Sequence, residues 1–143
     1  KIMAQGYRLR SGGRTRHTVN IAGPAKTGDI AYTFTETTSA PSAATDGYKN
    51  DGLQKSLHAI IMNNNAGTCK FRFWGYHSFA GQWGLIQIVD PADGGNNVVE
   101  ITAAANIDTY TIVPIEGIER IAVQCSTFAG SNNVTCYLGV NTI

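Results

Sequence analysis

Ile121-Ala122-Val123-Gln124-Cys125-Ser126, then Thr127-Phe128-Ala129-Gly130-Ser131-Asn132-Asn133, then Val134-Thr135-Cys136-Tyr137-Leu138-Gly139-Val140: this stretch decides the fold. In its first run Ile121, Val123 and Cys125 alternate with less apolar residues, and in its second Val134, Cys136, Leu138 and Val140 do the same. Apolar residues at every second position belong to a strand with one buried face. The Gly/Ser/Asn cluster between the runs reads as the turn of a hairpin. With Cys125 opposite Cys136, Val123 faces Leu138 and Ile121 faces Val140, so every apolar residue falls on one side. The expectation is a closing hairpin within residues 117–143, laid against a sandwich core.

The pattern continues upstream. Ile30, Tyr32 and Phe34 alternate with a threonine-rich face, and residues 57–62 form an apolar run that ends in Asn63-Asn64-Asn65-Ala66-Gly67. Cys69, Phe71 and Phe73 share one face of the next strand, with Lys70, Arg72, Trp74 and Tyr76 on the other. Residues 83–89, 98–103 and 109–113 read as further strands, separated by a turn-forming loop at 90–97 and by Pro114 and Gly117. Residues 38–54 form a long loop of small residues with Pro41 and two Asp-Gly steps, and a loop of that length is usually functional or a contact surface. About eight strands, with no helix of three turns and no repeat, predict an all-β protein, a β-sandwich or jelly roll over residues 29–143.

Composition agrees with strands. Charged residues make up 15% of the 143, where about 25% is usual, and Thr, Asn, Gly and Ala fill the gap. No run approaches the ~18 apolar residues of a membrane span, and the start does not read as a secretory signal. Because the chain begins at Lys1, a processed form or part of something longer is expected. The net charge of +1 conceals a division. Residues 1–28 hold Lys1, Arg8, Arg10, Arg14, Arg16 and Lys26 with no acid, a charge of +6, while residues 29–143 set five Lys/Arg against ten Asp/Glu, a charge of −5. With Ser11-Gly12-Gly13 and Gly23-Pro24 breaking any period, residues 1–28 read as an extended basic arm that lies on something negative.

Each chemical candidate has a plainer reading beside it. Trp74, Tyr76 and Trp83 could stack on sugar rings, but Tyr and Trp are also the residues of protein interfaces, and contact between copies of the chain is the favoured reading. Asp90, Asp93, Asn96 and Asn97 offer oxygens to Ca²⁺, yet their spacing is not that of an EF-hand, and Asp and Asn are ordinary turn residues. His17, His58 and His77 are scattered and lack metal-ligand spacing with the cysteines. Ser78 beside His77 is adjacency only, and no nucleophile elbow, phosphate loop or zinc-protease motif is present. No enzyme and no cofactor is expected. Tyr7 and the four arginines of the arm could meet phosphates and a base, but the negative body argues against nucleic acid. Cys69, Cys125 and Cys136 are odd in number; Cys125 and Cys136 could bridge across the hairpin or be small buried hydrophobes. Asn133-Val134-Thr135 matches a glycosylation acceptor without a secretory context.

The stretch Ile115-Glu116-Gly117-Ile118-Glu119-Arg120-Ile121-Ala122-Val123-Gln124-Cys125, followed by the small-residue loop and Val134-Thr135-Cys136-Tyr137-Leu138-Gly139-Val140, is similar to the closing strands of tailed-phage proteins that decorate or cement the capsid. The resemblance covers about the last 90 residues in pattern and the final 30 in motif. It implies a jelly-roll-like virion protein, often trimeric, made in the host cytoplasm and seated on the outer capsid surface. There it would bridge neighbouring subunits of the major capsid protein. Chemistry then assigns Tyr7, Arg8, Arg10, Arg14 and Arg16 to the capsid, and Trp74, Tyr76 and Trp83 to the contact between copies, with no membrane partner. The alternatives are a carbohydrate-binding or host-recognition module and another minor capsid or tail subunit.

Overall fold

The computed structural model describes residues 30–50, 55–90 and 95–140, the side chains of Ile30 and Val140 excepted. The basic arm at 1–28, with Tyr7, Arg8, Arg10, Arg14 and Arg16, lies outside them. Among the described residues the chain is all-β, in two main antiparallel sheets. Strands β1 (Ile30–Phe34), β3 (Ser56–Asn63), β9 (Asp108–Pro114) and β11 (Val134–Val140) form one sheet in the order β9-β3-β11-β1. Strands β2 (Tyr48–Lys49), β4 (Cys69–His77), β5 (Gln82–Leu85) and β10 (Arg120–Thr127) form the other in the order β2-β10-β4-β5, with β8 (Ile101–Ala103) also paired to β4. A small ladder joins β6 (Ile88–Val89) to β7 (Asn97–Val98).

The alternating residues face one another across the space between the sheets. Phe34, Leu57, Ala59, Ile61, Val113, Val134, Cys136 and Leu138 enter the core from the four-stranded sheet. Cys69, Phe71, Phe73, Ile101, Ala103, Ile121, Val123 and Cys125 meet them from the five-stranded one. The Phe34 and Phe71 rings make a tilted contact with centroids 5.4 Å apart. This is the expected sandwich.

The closing hairpin is not formed. Strands β10 and β11 belong to different sheets: Cys125 pairs with Phe71, and Cys136 with Ile61 and Tyr32. Strand β10 pairs with β4 on one side and is met on the other by β2 at Arg120 and Ile121 and by Thr38 at Cys125, while β11 lies between β3 and β1. The buried faces agree with the alternation, and the pairing differs from the expected hairpin. Two runs that each need an apolar cover can face one another across ~10 Å as well as lie side by side. The arch between them is fastened to the β3–β4 turn. Asn65 Nδ2 donates to the Asn132 carbonyl at 2.8 Å, the Asn132 backbone N–H donates to Asn65 Oδ1 at 2.6 Å, and Asn132 Nδ2 donates to the Asn64 carbonyl at 2.9 Å. Cys69, Cys125 and Cys136 are buried free thiols in separate strands.

Candidate functional site

The outer face of the five-stranded sheet assembles the three aromatics chosen from the sequence. Tyr76 is the cross-strand partner of Trp83 and Trp74 that of Leu85, with Arg120 and Ala122 next to them on β10. The Tyr76 and Trp83 rings are 5.3 Å apart and tilted by 53°. All three aromatics are half-buried, and both indoles are committed within the chain. Trp74 Nε1 donates to Gln124 Oε1 at 2.8 Å, and Trp83 Nε1 donates to the Ala43 carbonyl at 3.0 Å.

Ala43 belongs to the long loop, which is strapped along β10. The Thr38 backbone N–H donates to the Cys125 carbonyl, and the Cys125 N–H donates to Thr38 Oγ1, both at 2.9 Å. Further on, β2 pairs with Arg120 and Ile121. Between these points the Arg120 guanidinium donates to the carbonyls of Thr45, Asp46 and Gly47 at 2.8–3.0 Å. The backbone N–H groups of Ser42 and Ala43 donate to Asp46 Oδ2 and hold its carboxyl below the usual range. The loop therefore acts as a strap over the aromatic face.

Further along that face Glu100 accepts from Ser126 Oγ and from Arg72 Nε, the latter an ion pair at 3.0 Å. The Ser126 hydroxyl is the foremost influence and lowers the Glu100 pKa below its ordinary value; burial opposes it, and the Arg72 hydrogen bond and charge lower it further.

The outer face of the four-stranded sheet carries a surface the sequence reading did not select. Ala31, Tyr137, Ile60 and Tyr110 form one row across the strands, and Gly139, His58 and Ile112 form the next. Tyr110 is 65% exposed and Ile112 52%, unusual for large apolar side chains standing together. At the β9 edge the β6–β7 ladder leans in, with Thr111 Oγ1 donating to the Val89 carbonyl at 3.2 Å. A groove of about 860 Å³ opens there, lined by His58, Tyr110, Ile112, Pro114, Val89 and Asn97 among others. A signal for this face was present in the sequence. The apolar run at 57–62 puts Ile60 and Met62 outward, and such continuity marks a strand that is covered on both sides.

The other candidates do not converge. Asp90, Asn96 and Asn97 flank a turn in which the Asp90 N–H donates to the Asn96 carbonyl at 3.1 Å, and Asp93 is outside the described residues. Among the described residues no three His, Cys, Asp or Glu side chains are grouped to hold a metal ion. Ser78 Oγ donates to Glu119 Oε2 at 2.8 Å, and the His77 ring packs on Phe79 at 5.1 Å. His58 is exposed on the other sheet, and His17 is outside the described residues. Burial pushes the Cys136 thiol up to about 12. Burial, and then Cys69, push Cys125 to about 11. Both are thiols rather than thiolates at neutral pH.

Fold and surface thus define an antiparallel two-sheet sandwich whose outer faces both carry aromatic rings, one face strapped and also charged, the other open. In fold it is similar to the PBSX exported protein XepA, with a TM-score of 0.52 and 18% identity over 96% of this chain. The match takes in 50% of XepA, so the chain spans half the length of that protein. Looser likenesses are to the SPBc2 prophage-derived protein YomS, TM-score 0.49 and 11% identity over 77% of this chain and 91% of that one, and to PirA, 0.44 and 15% over 85% and 100%. No family model matches the chain, and no curated protein sequence does. Among the described residues no helix is long and apolar enough to cross a membrane.

Proposed function

We propose that this is a phage structural protein, and in particular one that decorates the outer capsid surface and cements it by bridging neighbouring capsid subunits. The observation that carries the reading is where the polar groups go. Trp74, Trp83, Arg120, Ser78 and Asn132 all use theirs within the chain, and Tyr110 and Ile112 stand exposed, so the surface offers sheet area with apolar patches rather than a cleft with converging donors. Surfaces of that kind suit assembly better than catalysis or ligand capture. The similarity of the closing strands to those of decoration proteins agrees with it, and the fold shared with half of XepA agrees with the coarser form.

On this reading the +6 segment binds the major capsid protein through Tyr7, Arg8, Arg10, Arg14 and Arg16. The Trp74, Tyr76 and Trp83 face closes a homotrimer, no cofactor is needed and no reaction is catalysed. Sugar stacking is the weaker reading, because the two neighbouring rings are tilted to each other and both indole N–H groups are engaged. The test is co-sedimentation with capsids lacking their decoration. Reversing Arg8, Arg10, Arg14 and Arg16 to Glu should abolish binding while the far-ultraviolet spectrum is retained. Undiminished binding removes the arm from the function. Light scattering gives the oligomeric state, with a trimer expected.

A further inference from the structure

The open face of the four-stranded sheet needs an occupant. Tyr110, Ile112, Ile107 and Val89 are each at least half exposed and lie on or beside β9, the edge strand of its sheet. An apolar edge left open in this way is a site of unwanted pairing, and proteins ordinarily cover it.

We propose that the cover is this chain's own N-terminal segment, crossing the outer face so that Val19 and Ile21 enter the groove at β9. Register gives the first reason. Ile30, the first described residue, pairs with Leu138, which pairs with Ala59, so β1 begins one step from the row of Gly139, His58 and Ile112. That row leads across the sheet to the groove, and Gly139 adds no side chain to obstruct it. From β1 to β9 is three strand spacings, about 14 Å, which ~5 extended residues span. The eight residues between Ile21 and Ile30 exceed that reach even with a turn at Gly23-Pro24.

Pattern and charge give the second and third reasons. Val19 and Ile21 alternate with Thr18 and Asn20, so an extended segment there presents one apolar edge. The outward positions of β9, β3 and β11 carry Asp108 and no Lys or Arg. Residues 17–28 carry Lys26 and no Asp or Glu, so they meet no like charge on that face, whereas a second copy would bring another body of charge −5 against the first. Tethering also places the segment at a high effective concentration, an advantage no separate partner has. The inference is independent of the capsid reading, since residues 17–28 would be seated here while Tyr7 to Arg16 stay available for a partner.

The test uses the full chain with a photo-crosslinking phenylalanine analogue at Tyr110, followed by peptide mapping. Crosslinks from position 110 to residues 14–28 in a species of monomer mass are expected. Amide hydrogen exchange of Thr18 to Ala22 should be slowed, and Ile112→Asp should speed it about tenfold while the amides of β4 and β10 keep their protection. Crosslinks confined to a dimer would overturn the proposal in favour of a second copy. Absence of crosslinks together with unprotected amides at 18–22 would overturn it outright. No capsid enters the experiment, so its failure is distinguishable from failure of the cementing role.

Discussion

The two sheets present their outer faces in opposite conditions. On the five-stranded sheet, Trp74, Tyr76 and Trp83 are half-buried, with both indoles hydrogen-bonded and a loop strapped beside them by Arg120. On the four-stranded sheet, Tyr110 and Ile112 stand open, with no comparable strap among the described residues. Aromatic rings do not separate the faces, for each has them at outward positions, although only the five-stranded sheet adds Arg72 and Arg120. What differs is whether the chain returns over them. Where it does, backbone carbonyls of residues 43–47 meet the indole and guanidinium donors, and the face becomes fixed in shape. Such a surface is preorganised for contact, because little side-chain entropy remains to be lost.

The strongest way to break that contrast is at Gly47. Its φ is 71°, and a Cβ there would collide with the Ile121 carbonyl oxygen and press on the Trp83 ring. Gly47→Ala should lower unfolding free energy by about 3 kcal/mol, since backbone strain and displacement of the strap add. Gly117→Ala is the control: φ is 79° but a Cβ meets nothing within 4 Å, so about 1 kcal/mol is expected from strain alone. Urea unfolding of both variants measures the difference. Equal losses would mean that the strap is not packed on Trp83.

Next in size is Arg120→Ala, which leaves the carbonyls of Thr45, Asp46 and Gly47 without their charged donor. They lie near solvent and can recruit water, so the loss should be about 2 kcal/mol rather than the sum of three bonds. Tryptophan emission should shift to the red in the folded variant as Trp83 loses its cover. An unchanged emission maximum would show that the strap is held by its ends at Thr38 and Tyr48. Smaller again is Trp74→Phe, which keeps an aromatic ring on the sheet and removes the bond to Gln124 with part of the indole's packing. About 1 kcal/mol is expected, read from the urea midpoint.

Much of this architecture was legible from alternation alone, and the exceptions share a cause. Period two told which side of a strand is buried: Ile121, Val123, Cys125, Val134, Cys136 and Leu138 are all core residues. It carries no information about which strand lies alongside, because hydrogen bonds between strands are indifferent to sequence. So Cys125 was set beside Cys136 when it belongs beside Phe71. The strap was legible only as a long loop, since its fixing depends on Arg120 reaching residues more than 70 positions away. The shared outward face of the aromatics is legible because Trp74 and Tyr76 alternate with Phe71 and Phe73. Tyr110 and Ile112 are not legible as outward residues, because an apolar residue in a short strand looks like a core residue until the other face is known.

The least perturbing probe of the strapped face is pH. Glu100 accepts from Ser126 and Arg72, and these contacts hold its folded-state pKa below the ordinary carboxylate value. As pH falls, the unfolded chain takes up this proton first. The stabilisation is therefore fully present above the ordinary carboxylate value and is lost as pH drops through the depressed one. Ser126→Ala removes the foremost cause and should flatten the acid limb of stability without altering the plateau slope near neutrality. Partial exposure of Arg72 and Glu100 keeps the effect small, and salt should reduce what remains in the variant. Urea midpoints measured from pH 7 to pH 3 decide it. Superimposable acid limbs would mean that the Ser126 hydroxyl is satisfied by water, and that the Glu100 end of this face is less fixed than the Trp83 end.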